Sequence, residues 1–117
     1  MERQPTTNYG NQATLQRLRT LETLYEQGYH DDVVDLTIYK LLEHQVQKDE
    51  AQLADLADDL AEFEQRFGLS SAAFYERYQS GQMEDDDDFF EWQILYKMYQ
   101  RLNNAVDLLR SQLAPAS

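Results

Sequence analysis

Apolar residues recur along this chain at helical spacing, and the strict alternation of a half-buried strand is absent. Leu15, Leu18, Leu21, Leu24 and Tyr25 form the first stripe and predict a helix over 12–27, with Asn11 as its cap. Gly28 follows, and Asp31 and Asp32 then open a stretch with no Gly or Pro before Gly68. Asp31 is placed to cap a second helix, and Asp32 and Asp35 suit the positive end of its dipole. One unbroken helix over 32–67 would be roughly 54 Å long at 1.5 Å per residue. Its later half carries Leu53, Leu56, Leu60, Phe63 and Phe67 at alternating spacings of 3 and 4, the pattern of a coiled-coil seam. Traced backwards, the register meets Asp49, Val46, Leu42 and Tyr39. Asp49 breaks it inside a polar patch, 45–50, which reads as a kink, an exposed stretch or the limit of a partner helix's reach.

Beyond Gly68, Ser70 is placed to cap a short third helix over 71–80, closed by Gly81, with Phe74 and Tyr78 on one face. An acidic run, 84–88, precedes a fourth helix whose cap is Asp86 or Asp87. Its seam is Trp92, Leu95, Tyr99, Leu102, Val106, Leu109 and Leu113, again at spacings of 3 and 4 and without a break. The expected fold is all-α, an antiparallel helical bundle or a long helical hairpin: two long helices, one short connecting helix and one N-terminal helix. Residues 53–67 should face the first half of the fourth helix and 39–46 its second half, with the first helix covering the remainder. Trp92 should be buried against Phe63 and Phe67. The helical domain is expected over 12–114, between a disordered N-terminal tail, 1–11, and a C-terminal tail, 115–117.

Composition narrows the function more than the fold. A length of 117 residues sets one domain. The absence of cysteine excludes disulfides, thiolate metal sites and cysteine nucleophiles. The net charge of −12 argues against a nucleic-acid partner, since a phosphate backbone would be repelled. The N-terminus lacks the apolar core of a signal peptide and no apolar run is long enough to span a membrane, so the expected location is the cytoplasm.

The acids are unevenly placed. Residues 49–117 hold 15 acids and 5 bases, against 7 and 5 in residues 1–48. Asp55/Asp59 and Asp58/Glu62 are like-charged pairs one helical turn apart, each costing about 0.2–0.5 kcal/mol. The run Glu84, Asp85, Asp86, Asp87, Asp88 lacks the alternating ligands and internal glycine of a calcium loop, so cap and field are its expected roles. His30 and His44 have neither the spacing nor the companions of a metal site. Ser70 and Ser71 lack the strained turn of a nucleophile. No catalytic residue, metal or cofactor is expected. The candidate partner-binding residues are Asp55, Asp58, Asp59, Glu62, Glu84, Asp85 and Asp86 for charge, with Tyr75 and Tyr78 as aromatic anchors.

Residues 63–92 read FEQRFGLSSAAFYERYQSGQMEDDDDFFEW. This segment resembles a module of small, mostly uncharacterised prokaryotic proteins that look like antitoxins of toxin–antitoxin-type gene pairs. The likeness lies in the Phe-Glu-x-x-Phe-Gly helix end, the Ser-x-x-x-Phe-Tyr short helix, the Gly/Met-acidic stretch and Phe-Phe-Glu-Trp. It covers 30 of the 117 residues. The unbroken run 85–88 departs from the more mixed residues such a module carries. The resemblance implies a small partner-binding protein and brings no catalytic residue with it. The expected function is therefore a non-enzymatic, acidic protein-binding module that neutralises a basic partner such as a toxin. The alternative is a self-associating helical adaptor, a homodimer formed through the long second helix.

Overall fold

The computed structural model describes residues 6–113, and side chains from Gly10 onward. The C-terminal tail expected at 115–117 and the first five residues of the N-terminal tail expected at 1–11 lie outside the described residues; residues 6–11, expected to be disordered, are helical. The fold is all-α, with four helices and no strand among the described residues: α1 (Thr6–Glu26), α2 (Asp32–Phe67), α3 (Ser71–Gln79) and α4 (Asp87–Ser111). The chain divides into two compact units, 1–38 and 39–117.

The first unit holds α1 and the opening turns of α2. Helix α1 starts at Thr6, six residues earlier than expected, so Asn11 lies within the helix and does not cap it. Gly28 has φ of 96°, and the Tyr29 amide donates back to the Leu24 carbonyl at 3.0 Å, closing the helix end. Asp31 caps α2 as expected: its Oδ1 accepts from the amides of Val33 (2.8 Å) and Val34 (3.1 Å). The Tyr25 hydroxyl donates to the Asp35 carboxylate at 2.6 Å and to the Asp31 carbonyl at 3.2 Å, tying α1 to the start of α2. Leu15, Leu18 and Leu24 of the predicted stripe are exposed.

In the second unit α2 and α4 run antiparallel. Arg66 pairs with Asp88 at one end and Glu50 with Arg110 at the other, while Phe63 stacks on Trp92 between them. This register places the last turn of α4 beside residues near Glu50, so α4 ends before it reaches Tyr39. The expectation that 39–46 faces the second half of α4 is corrected here. At 1.5 Å per residue, 25 residues of α4 span about 37 Å, well short of α2. Val46 is buried at the limit of the pairing, and Tyr39 is exposed.

Helix α2 is continuous through the polar patch. Asp49 keeps its place in the seam and is buried, 7% exposed, with its carboxylate accepting from the Gln45 side chain at 2.9 Å. Along the seams Leu56, Leu60, Phe63, Trp92 and Val106 are buried, while Leu53, Leu95, Tyr99, Leu102 and Leu109 are half-buried.

Helix α3 closes the end of this pair, and its position is over-determined. Gly68, with φ of 63°, stops α2, and its amide donates to the Glu64 carbonyl at 2.9 Å. Ser70 then caps α3 as predicted, its hydroxyl accepting from the Ala73 amide. A second acceptor comes from α2: the Glu64 carboxylate takes the Ser71 amide at 2.8 Å. The core gathers here from Leu60, Phe63, Phe74, Phe89 and Trp92. Trp92 is fully buried, as expected; Phe74 lies face to face with it at 3.8 Å and 4°, and Phe63 does so at 5.5 Å and 10°. Its indole N–H donates to the Ser71 hydroxyl at 2.9 Å, so the polar atom of the ring is satisfied.

Candidate functional site

The turn from α3 into α4 builds an acidic concavity. Gly81, with φ of 78°, ends α3, and the Gln82 amide donates to the Arg77 carbonyl. The chain then leaves regular structure until Asp86, whose carboxylate accepts from the Asp88 amide at 2.8 Å and starts α4. The expected choice between Asp86 and Asp87 is thereby resolved to Asp86. Tyr78 on α3 and Phe90 on α4 flank a cleft of about 690 Å³ that Asp85, Asp86, Asp87 and Asp88 complete. The four carboxylates beside Tyr78 and Phe90 concentrate negative charge on one exposed surface.

Not every acid here is equally free. Asp88 is held by Arg66 at 2.7 Å, and that guanidinium also lies over the rings of Phe67 (4.9 Å) and Phe63 (5.6 Å). Asp86 is engaged as the cap. Asp85 and Asp87 make no ion pair among the described residues and point their charge to solvent.

The structure separates the other sequence candidates. Asp55, Asp58, Asp59 and Glu62 are all exposed on α2, and form an acidic ridge apart from the cleft's lining. Glu84 is exposed beside the cleft without lining it. Tyr75 is half-buried, tilted against Tyr96 at 5.3 Å, and lines a separate groove with Ala72, Gln79 and Gln100. Tyr78 alone of the two tyrosines joins the acids. Phe90 belongs to the aromatic cluster around the short helix but is not among the expected binding residues; it stands outside the α4 seam and is exposed.

A third feature lies in the first unit. His30 contacts Asp35 at 2.9 Å and Asp32 at 3.9 Å, and one ligand atom from each of the three lies within 4.8 Å of the others. All three are exposed, and acidic groups gather like this without an ion. The hydrogen bond to Asp35 holds the Tyr25 hydroxyl above its ordinary value near 10.

No helix among the described residues is long and apolar enough to cross a membrane. Comparison of the chain with protein-family models, with curated proteins and with solved structures finds no match.

Proposed function

We propose that the chain is a non-enzymatic binding protein that captures a basic partner protein in the cytoplasm and neutralises it, as an antitoxin neutralises its toxin. The cleft between Tyr78 and Phe90 carries this reading: it combines carboxylates that attract a lysine or arginine with rings that hold the cation once desolvated. The acidic ridge on α2 supports it, because the ridge extends the same field without lining the cleft and so acts on encounter. The resemblance of residues 63–92 to antitoxin-like modules points the same way. The mechanism is occlusion: α3 and the start of α4 cover the partner's working surface, and charge sets the rate at which they meet.

The test is capture of the partner from the native host at low salt, followed by binding kinetics. Association should slow steeply with salt, since ions screen such fields over about 10 Å at 0.1 M. Changing Asp55, Asp58 and Asp59 to Asn and Glu62 to Gln should lower the on-rate and leave the off-rate unchanged. Tyr78→Ala should act on the off-rate. A partner that binds the Asp85→Asn/Asp87→Asn variant as tightly as the native chain would remove the cleft from the reading.

A further inference from the structure

Helix α4 carries a second set of apolar residues outside its seam. Phe90, Ile94, Met98 and Leu108 are all exposed, Phe90 at 57% and Leu108 at 69%. This set also lies in an ordered charge pattern. Asp87 and Glu91 lie at its N-terminal end, and Lys97 and Arg101 lie in its middle. Among the described residues, Arg66 and Arg110 are in ion pairs, whereas Lys97 and Arg101 are in none. In a chain of net charge −12, a second copy approaching the acidic ridge or the acidic cleft meets like charge. Here it meets both signs of charge, with Lys97 and Arg101 beside Glu91.

We infer that this outward face of α4 pairs with the same face of a second copy, antiparallel about a two-fold axis, giving a homodimer. The charge order is self-complementary only in that direction. Placing Ile94 opposite Met98 of the second copy brings Glu91 opposite Arg101, and the two-fold makes each of these pairs twice. The same register brings Phe90 level with Leu102 of the second copy. At that level α2 and α4 leave a cleft of about 280 Å³, lined by Gln52, Met98, Arg101, Leu102 and Ala105. Lys97 flanks the axis; its stem can lie along Ile94 while its ammonium reaches water. Antiparallel pairing also sets the two helix dipoles head to tail. This inference uses the outer face of α4, whose N-terminal end it shares with the acidic cleft through Asp87 and Phe90. Its key residues, Ile94, Met98, Glu91 and Arg101, do not line the acidic cleft.

Sedimentation velocity of the full chain over a wide concentration range tests it. The expected result is a monomer that converts to a dimer as concentration rises. Ile94→Glu and Met98→Glu should each abolish the dimer while circular dichroism stays helical. Glu91→Arg and Arg101→Glu should each weaken the dimer about tenfold, since every change acts at two symmetric pairs. The double variant E91R/R101E should restore it. A chain that stays monomeric at every concentration overturns the inference. So does a dimer indifferent to Ile94→Glu, a dimer lost instead on Leu18→Glu, or a double variant as weak as the single ones.

Discussion

Trp92 and its hydrogen bond decide how the three helices of the second unit meet. The ring is fully buried between Phe63 and Phe74, and its N–H is spent on Ser71. Trp92→Ala should cost about 3–5 kcal/mol in a urea titration, as for other core aromatics. Ser71→Ala changes little volume yet strands a buried donor, and should cost about 1–3 kcal/mol. Asp49 presents the opposite case, a carboxylate where the seam asks for an apolar group. Its only side-chain hydrogen-bond partner among the described residues is Gln45. Asp49→Leu should therefore raise stability, by about 1 kcal/mol, and a lower denaturation midpoint would show that the carboxylate is better satisfied than its neighbours suggest. Tyr25 supplies a pH effect in the first unit. Its folded pKa is raised, chiefly by the hydrogen bond to Asp35. The stability from that bond is whole below the unfolded value near 10 and is lost as pH climbs through the folded value. Alkaline unfolding of the native chain should show this loss, and Tyr25→Phe should not.

At the scale of the helices, boundaries were largely legible where a residue has one physical job. Asp31, Ser70 and Asp86 each cap the helix they precede, and Gly28, Gly68 and Gly81 each take the positive φ that ends one. Gly68→Ala tests that reading cleanly. A Cβ there would meet nothing within 4 Å, so the whole cost, about 1–2 kcal/mol, is backbone strain measurable by thermal unfolding. The seams of α2 and α4 were legible from their period. What the period could not convey is where one helix runs out. Tyr39 is in register but lies past the end of α4, and Phe67 is in register but 37% exposed, despite its contacts with Phe89 and Trp92. The start of α1 was missed because nothing in its polar first turns marks an amphipathic face. Of the binding surface, the acids were legible from composition. The cleft was not, because it depends on Tyr78 and Phe90 arriving from different helices.

The molecule as a whole is an acidic body with its charge arranged by region. The ridge of Asp55, Asp58, Asp59 and Glu62 works against the helix that carries it, through two like-charged pairs. Replacing all four by their amides should raise the melting temperature slightly, by about 0.4–1 kcal/mol in stability, while slowing capture of a basic partner. Stability and association should thus move in opposite directions in one variant. A variant that changed neither would mark the ridge as ordinary solvated surface.

The single tryptophan also makes the protein its own instrument. Trp92 sits in the junction of α2, α3 and α4, and the first unit has no such residue. Its fluorescence should be shifted to short wavelength and should respond only when that junction opens, whereas far-ultraviolet dichroism sums every helix. Heated together, the two signals divide the chain without a label: loss of dichroism ahead of any change in emission would time the melting of α1 separately from the junction.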